Sequence, residues 1–329
     1  MLEKLLEIED LCINFGSQPD AVRAVRNLNL SVDAGEVVAL VGESGCGKSM
    51  SALAVMKLTP PAAIATGSIR FNGTEILSAP DSVIRKIRGR EISMVFQEPM
   101  TSLNPAFTVG DQIAETLRLH LKISKQEAAK RAVELLSRVR IASPEKRARA
   151  YPHQLSGGMR QRVMIAIALS CNPKFLILDE PTTALDVTTQ AQVLEIVREL
   201  EGEGDTGVLL ITHDLGVVAD LADRVVVMYA GSPVETSDVG GIFSQPMHPY
   251  TNGLLGAVPR RSDGIRRRLN DIPGTVPVIK SNPGRCAFAD RCSYAADDCA
   301  AKEPELFDIQ GGHRVACFHP VGVEEGAIL

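Results

Sequence analysis

The sequence predicts an α/β protein whose core is a parallel sheet covered by helices. Several short runs, among them Val37–Gly42 and Phe175–Asp179, are apolar almost throughout, as strands buried on both faces are. Segments with apolar residues every three or four positions lie between these runs, so strands and helices alternate along the chain. With 329 residues, the chain has room for one large and one small domain.

The elements follow in an order that fits this fold class. Leu5–Phe15 and Ala24–Val32 alternate apolar and polar residues, which predicts an N-terminal subdomain of antiparallel strands. Val109–Val139 has helical spacing, which predicts an inserted helical subdomain over about residues 98–172. Further helices are predicted at about Ser156–Ser170 and Val187–Leu200, and further strands at Val37–Gly42, Ser68–Gly73, Ile92–Phe96, Phe175–Asp179, Thr206–Asp214 and Arg224–Tyr229.

Composition excludes several classes of function. The 35 Lys and Arg residues against 40 Asp and Glu residues give a net charge of −5, and there is no Trp, which argues against a nucleic-acid partner. No apolar run approaches the roughly 20 residues that cross a bilayer. The acidic, amphipathic N-terminus does not resemble a signal peptide. We therefore expect a cytoplasmic protein, in which disulfides are rare.

A second domain is predicted after residue 255. Prolines interrupt the pattern over about Ser237–Pro283, which favours a division into a domain at 1–255 and a small C-terminal domain at 256–329. A basic run, Arg260–Arg268, lies at this junction. It is either a solvated connector or a contact for anionic lipid or a partner.

A phosphate-binding loop follows the first buried strand. GESGCGKS fits the pattern G-x-x-x-x-G-K-[S/T], in which glycines let successive backbone N–H groups point at phosphate oxygens. The next helix directs its positive end at the same anion. Lys48 is expected to reach the terminal phosphates, and Ser49 to offer its hydroxyl to Mg²⁺. The predicted nucleotide-binding residues are Gly42, Glu43, Ser44, Gly45, Cys46, Gly47, Lys48 and Ser49.

Cys46 is the unusual residue of this loop. It lies beside Lys48 at the start of a helix, and both features lower the pKa of a thiol. We therefore expect Cys46 to be reactive towards alkylating reagents and to be protected by bound nucleotide.

Two carboxylates end the buried strand Phe175–Asp179. Ligands of open α/β sheets bind at the carboxyl ends of the strands. Asp179 is therefore expected to hold Mg²⁺, and Glu180 to orient and deprotonate an attacking water.

A third motif, LSGGMRQ, opens the helix at about Ser156. A serine hydroxyl and two glycines at a helix start can form an anion cradle. Together with the phosphate-binding loop, this motif resembles the signature of the ATP-binding subunits of ABC transporters, which are P-loop NTPases. The resemblance covers about residues 5–255. It implies that the cradle binds the γ-phosphate of ATP held by a partner subunit, through Leu155, Ser156, Gly157, Gly158, Met159 and Gln161.

The resemblance implies roles for further residues. Phe15 matches an aromatic residue that stacks on adenine, although a core Phe is the alternative. Gln97 matches a glutamine that contacts Mg²⁺ and the attacking water, and His213 matches a histidine that contacts the γ-phosphate. The segment Ala184, Leu185 and Asp186 matches a loop, the D-loop, that crosses the dimer interface.

A narrower resemblance points to the ATPases of dipeptide and oligopeptide importers. It rests on Pro99–Pro105, on the segment Gln245–Pro259 and on the cysteine-bearing tail to about residue 320. It implies a related but non-identical ATPase partner, two membrane permease subunits, an extracytoplasmic binding protein, and a location on the cytoplasmic face of the inner membrane. Nickel and glutathione importers are the alternatives within the subfamily. An ABC ATPase of DNA repair or translation is the alternative from another class.

Four cysteines in the tail, Cys286, Cys292, Cys299 and Cys317, suggest a metal centre. Their spacing lacks the C-x2-C pairs of zinc ribbons, and four thiolates suit either tetrahedral zinc or a [4Fe–4S] cluster. The wide gaps, together with the resemblance, favour the iron–sulfur cluster. Zinc and metal-free buried thiols remain open, with His313 and His319 as further candidate ligands.

Overall fold

A computed structural model describes residues 4–16, 20–98, 102–182, 186–202, 205–257, 272–280 and 284–323. The strands are β1 Lys4–Phe15, β2 Val22–Asp33, β3 Val37–Val41, β4 Ala63–Phe71, β5 Thr74–Glu75, β6 Ile92–Val95, β7 Phe175–Asp179, β8 Gly207–Thr212, β9 Arg224–Tyr229, β10 Ser232–Asp238, β11 Phe307–Gln310 and β12 His313–Val315. The helices are α1 Lys48–Val55, α2 Asp81–Ile87, α3 Val109–Leu121, α4 Lys125–Arg138, α5 Pro144–Ala148, α6 Gly157–Leu169, α7 Val187–Gly202, α8 Leu215–Leu221, α9 Val239–Ser244, α10 Pro249–Gly256 and α11 Asp297–Ala301, with 3₁₀ turns at Pro152–Gln154 and Ala289–Arg291.

The chain divides into two compact units. The first unit contains residues 32–37 and 78–210 with the N-terminal end of the chain, and the second contains residues 6–31, 38–77 and the chain from residue 211 onwards.

The first unit joins parallel strands to a group of helices. β6 pairs with β7 in parallel, with Ile92 opposite Phe175, and every residue of both strands is buried. Helices α3 and α4 start at hydroxyl caps, since Thr108 accepts from the Asp111 N–H and Ser124 from the Glu127 N–H. The buried residues of α4, namely Ala128, Ala132 and Leu136, recur every four positions, which gives the helix one apolar face.

The second unit contains an antiparallel sheet in the order β2-β1-β4-β5. A shift of register between Glu9 and Cys12 changes which residues of β1 face inward, so Ile8 and Leu11 are both buried although they lie three positions apart. This bulge keeps both halves of a twelve-residue strand apolar on the core side.

The second unit also contains a series of paired strands that is parallel at one end and antiparallel at the other. β3 pairs with β9 in parallel, and β9 continues through β10 and β12 to β11 with antiparallel pairing. Tyr229, Tyr250 and Phe288 pack together in the core beside these strands.

The predicted α/β fold with parallel core strands and an N-terminal antiparallel subdomain is confirmed. The difference from the prediction is that the sheet is mixed, because β10, β11 and β12 add antiparallel strands. The sequence signal of β10 was weakened by Pro233, which lies where the β9–β10 register shifts. The boundary at residue 255 and the separate Cys-rich domain stay predictions. Within the described ranges, no helix is long and apolar enough to traverse a bilayer.

Candidate functional site

The phosphate-binding loop joins β3 to α1, as predicted, and two of its glycines are sterically required. Gly42 and Gly47 have φ values of 151° and 101°. A Cβ on Gly42 would lie 2.3 Å from the carbonyl oxygen of Met228, and one on Gly47 would lie 2.4 Å from that of Ala24. Any other residue would therefore displace the loop from β9 or β2.

Lys48 lies inside the loop with only 5% of its surface exposed. Its ammonium group donates to the carbonyl oxygens of Gly42 at 2.7 Å and Glu43 at 3.0 Å. Ser44 and Gly45 are exposed at the tip. The loop therefore carries a cation held by its own backbone, with α1 starting at Lys48, an arrangement that suits an anionic ligand.

The thiol of Cys46 does not behave as the sequence suggested. Its side chain is fully buried, and burial raises the pKa of the thiol even though the Lys48 ammonium, 3.6 Å from the sulfur, acts in the opposite direction. The expected lowering of the Cys46 pKa is therefore wrong, because the loss of hydration outweighs the nearby charge.

The first unit carries the two carboxylates that follow β7. Asp179 is 4% exposed, while Glu180 is half-buried with a left-handed backbone at φ 47°. The Gln97 side chain donates a hydrogen bond to the Glu180 carboxylate at 2.9 Å. Two residues predicted to act on the attacking water, 83 positions apart in the sequence, therefore lie in direct contact.

The signature turn, Leu155–Gln161, has an exposed face and a packed face. Ser156 caps α6 by accepting from the Met159 N–H, and both Ser156 and Gly157 are exposed. Gly158 faces inward, where a Cβ would lie 2.5 Å from Cγ2 of Thr189. Leu155 and Gln161 are buried, so the part of the motif open to an external anion is its serine and first glycine.

The remaining predicted residues lie at the ends of strands and helices. Phe15 ends β1 and is half-buried, and His213 follows β8 and is exposed. Asp186 accepts from the Thr189 N–H and hydroxyl at the start of α7. Ala184 and Leu185 of the same predicted loop lie outside the described residues, as do residues 99–101 and the basic run Arg260–Arg268.

The four tail cysteines line one cavity, which we call the cysteine cavity. Its walls also include the rings of Phe288, Tyr294 and Phe318. Burial, together with the charges of the other three sulfurs, raises the pKa of the Cys317 thiol to about 12. The Tyr294 N–H donates to the sulfur of Cys292 at 3.3 Å.

A buried glutamate close to the cysteine cavity was not predicted from the sequence. Glu235, on β10, is fully buried and accepts from the N–H groups of Met247 and His248 and from the ring of His313 at 2.7 Å. Of the two further candidate ligands, His313 is hydrogen-bonded to the Glu235 carboxylate, and His319 is hydrogen-bonded to Asp298.

The contacts between the tail and the phosphate-binding loop were also missed by sequence reasoning. Arg291 donates to both carboxylate oxygens of Glu43, at 2.7 and 3.0 Å, and the hydroxyl of Tyr250 accepts from the Glu43 N–H at 2.8 Å. Tyr250 belongs to the segment Gln245–Pro259, and no sequence spacing reveals its contact with the loop.

Comparisons with known proteins agree with this arrangement. The family described as ABC transporter matches residues 25–183, and the family described as oligopeptide/dipeptide transporter, C-terminal region, matches residues 234–299. The chain is 51% identical over 321 residues to the oligopeptide transport ATP-binding protein OppD of Bacillus subtilis (strain 168), covering 96% of this chain and 90% of that protein. It is 50% identical over 328 residues to AppD of the same organism, an oligopeptide transport ATP-binding protein, covering 99% of both.

A solved structure gives the same fold. The dimeric structure of the ATP-binding cassette MJ0796 in a post-hydrolysis state, bound to ADP and Pi, matches with a TM-score of 0.65 and 29% identity. The match covers 71% of this chain and 98% of that one. The fold and these family matches define a P-loop ATPase. The chain belongs to the ATP-binding proteins of ABC transporters.

Proposed function

We propose that the chain is the ATP-hydrolysing subunit of an ABC importer for dipeptides or oligopeptides. The observation that carries this proposal is the identity of about half of all residues with peptide-transport ATP-binding proteins, including the C-terminal region. The match to that region favours a transporter over an ABC ATPase of repair or translation. Nickel and glutathione remain the alternative cargoes within the same architecture.

The reaction is an in-line attack of water on the γ-phosphorus of ATP. The bond to the bridging oxygen breaks, ADP leaves, and Glu180 accepts a proton from the water. Lys48 neutralises charge on the phosphates, and His213 contacts the γ-phosphate. The hydrogen bond from Gln97 to Glu180 supports their joint role at the water. Ser49, Gln97 and Asp179 would hold Mg²⁺, which supplies charge neutralisation of the phosphates.

A dimer completes the site in this proposal. Phe15 would stack on the adenine of the ATP bound by its own chain. Ser156 and Gly157 would bind the γ-phosphate of ATP held by a partner, and Asp186 would lie at the dimer interface. The exposure of Ser156, Gly157 and Asp186 supports this role. The partners are a paralogous ATPase, two permease subunits and an extracytoplasmic binding protein, and the complex lies at the cytoplasmic face of the inner membrane.

The region around Gln97 is the proposed contact with the permease subunits. Gln97 and Glu98 are exposed, and the neighbouring Phe96 is an exposed aromatic residue. If a permease subunit packs against Phe96, a movement of that subunit would displace the adjacent Gln97. The hydrogen bond from Gln97 would then shift Glu180, the proposed base for the attacking water.

We propose that the cysteine cavity holds a [4Fe–4S] cluster rather than a single zinc ion. Zinc at about 2.3 Å from four thiolates brings their sulfurs to within about 3.8 Å of one another. In the described part of the chain, only Asp298, Cys299 and His319 have ligand atoms that all lie within 4.8 Å of one another. Four thiols around an apolar cavity, with a backbone N–H donated to one sulfur, suit a larger cluster.

Replacement of Glu180 tests the proposed chemistry. Glu180→Gln keeps the size of the side chain but removes the base, so MgATP binding should persist while turnover falls by about a hundredfold or more. Lys48→Met is the matched comparison, since it should weaken binding itself. Hydrolysis at the wild-type rate by the Glu180→Gln variant would overturn the assignment. Stimulation of the reconstituted transporter by peptide, and not by nickel or glutathione, tests the cargo.

Anaerobic purification tests the cluster. Protein made with ample iron should absorb broadly near ~400 nm and contain about four irons per chain. Cys317→Ser should abolish this absorbance, whereas Cys12→Ser and Cys171→Ser should not. One zinc ion and no iron per chain would establish the zinc alternative. If the protein contains neither metal, the four cysteines are metal-free buried thiols.

A further inference from the structure

Arg291, in the C-terminal segment of residues 284–323, contacts the phosphate-binding loop. Arg291 directs its guanidinium group at Glu43, the second residue of the loop, and forms two parallel hydrogen bonds with its carboxylate. Only 5% of the Arg291 side chain is exposed. The Glu43 carboxylate is partly exposed, and the two-bond geometry fixes its orientation as well as its charge.

All donors of Arg291 are directed at defined acceptors. Besides Glu43, the guanidinium donates to the carbonyl oxygens of Pro273 at 2.8 Å and Ile272 at 3.2 Å, and to the Tyr229 hydroxyl at 3.4 Å. Its plane also lies against the rings of Tyr229 and Phe288. The hydrogen bonds to Glu43 raise the pKa of Arg291, so the group stays charged.

Each polar group of Glu43 has a different partner. Its carboxylate is bound by Arg291, its N–H is bound by the fully buried Tyr250, and its carbonyl oxygen accepts from the Lys48 ammonium. Glu43 therefore joins the C-terminal segment to the lysine that binds phosphate. A displacement of Arg291 or Tyr250 would therefore move Glu43, and with it the carbonyl oxygen that Lys48 contacts.

We propose that Arg291 and Tyr250 are positioning residues that hold the phosphate-binding loop in its ATP-binding conformation. The C-terminal segment thereby sets the affinity for MgATP, and nucleotide binding in turn stabilises the segment around Arg291, which precedes Cys292. Such coupling is reciprocal by thermodynamic necessity. The inference rests on the proposed ATP binding by the loop, but neither residue is required to touch the nucleotide.

Nucleotide titration of the full-length chain tests the proposal. Arg291→Met should raise the Kd of a fluorescent ATP analogue with Mg²⁺ about tenfold, which corresponds to about 1.4 kcal/mol. Arg291→Lys should also weaken binding, because an ammonium group cannot donate two parallel bonds. Turnover of the assembled transporter at saturating ATP should stay within about twofold of wild type, because Arg291 contacts no reacting atom.

Arg285→Met is the matched control. Arg285 lies in the same segment and forms an equivalent two-bond pair with Asp290, but both side chains are exposed and neither contacts the loop in the described structure. Its replacement should leave the Kd for MgATP within about twofold of wild type. An equal loss of affinity in Arg285→Met would assign the effect to general damage of the segment and overturn the proposal.

Variants of the residues that Arg291 and the loop contact keep the proposal testable if Arg291→Met fails to fold. Glu43→Gln leaves every other contact of Arg291 in place, and Tyr250→Phe removes only the hydroxyl. Both should weaken MgATP binding. The double variant Glu43→Gln with Arg291→Met should bind no more weakly than Arg291→Met alone, because the two side chains act as one unit. Additive losses would contradict the proposal.

Hydrogen exchange tests the reciprocal effect. MgATP should slow exchange of the amides at residues 284–292 in the wild type, and this protection should be lost in Arg291→Met. Unchanged exchange in the wild type would contradict the coupling. If the wild-type chain does not bind MgATP at all, the proposed function fails. If it binds MgATP and Arg291→Met binds equally well, the inference alone fails.

Discussion

The phosphate-binding loop and the signature turn are both glycine-containing turns at the start of a helix, yet they are held in different ways. In the loop, Lys48 is buried and two glycines are pressed against neighbouring carbonyl groups. In the signature turn, Ser156 and Gly157 are exposed, whereas Leu155, Gly158 and Gln161 are packed. The loop is shaped by its own surroundings, whereas the turn presents an open face.

This difference indicates that the two turns contribute to phosphate binding in different ways. A loop fixed before the ligand arrives loses little conformational entropy on binding, which favours affinity. A serine and a glycine on an open face can meet a phosphate that arrives with another protein. Under the proposed function, the first turn would hold ATP, and the second would meet the ATP that a partner subunit holds.

The largest expected effect concerns the glycines of the loop. Gly42→Ala would place a methyl group 2.3 Å from a backbone oxygen, which cannot move without shifting β9. We expect MgATP affinity to fall at least about a hundredfold, because the loop must change shape. Gly45→Ala is the comparison, because Gly45 also has a positive φ of 83° but its Cβ would point into open space.

The strain at Gly45 is about 1–2 kcal/mol, so the loss of affinity there should be about tenfold. Titration with a fluorescent nucleotide, together with a melting curve for each variant, measures both effects. Equal losses in the two variants would mean that the close approach to Met228 does not shape the loop.

Local patterns predicted the strands, the loop and the signature turn because each motif is contiguous. The contact of Arg291 with Glu43 spans 248 residues, and no local pattern encodes such a distance. Cys46 illustrates a second limit. The sequence displays the nearby charge that lowers a thiol pKa, but not the burial that raises it, and burial dominates.

Replacement of Ser156 separates its two roles in the signature turn. Asp is as good a helix cap as Ser, so Ser156→Asp should preserve the hydrogen bond to Met159 and change stability by less than about 0.5 kcal/mol. Its carboxylate would repel an approaching phosphate, so turnover of the assembled transporter should fall about tenfold or more. Ser156→Asn caps the helix without charge and serves as the control. Full activity in Ser156→Asp would mean that no anion meets this turn.

A smaller effect is expected at the packed face of the same turn. Gly158→Ala would place its methyl group 2.5 Å from Cγ2 of Thr189, whose hydroxyl is bound to Asp186 and so resists rotation. We expect a loss of stability of about 1–3 kcal/mol, measured by denaturant unfolding. Thr189→Ser removes that methyl group and should restore part of the loss, whereas Gly157→Ala, which meets open space, should change stability by less than about 1 kcal/mol.

The smallest effect tests how rigid the phosphate-binding loop is. Because burial raises the pKa of Cys46 above its usual 9.0, the thiolate fraction at pH 7.5 is smaller than in the unfolded chain. Iodoacetamide should therefore label Cys46 more slowly than the half-buried Cys12, with little change on addition of MgATP, as measured by mass spectrometry with Cys46→Ser to identify the peptide.

The dependence on pH has a defined sign. A neutral thiol that is favoured by burial stabilises the fold at pH values below its unfolded pKa, and this stabilisation is lost as the pH rises through the higher folded value. Labelling should therefore accelerate, and stability decline, only above about pH 9. Rapid labelling at pH 7.5 that MgATP suppresses would show that the loop opens in the native state. The contrast between a fixed loop and an open signature turn would then no longer hold.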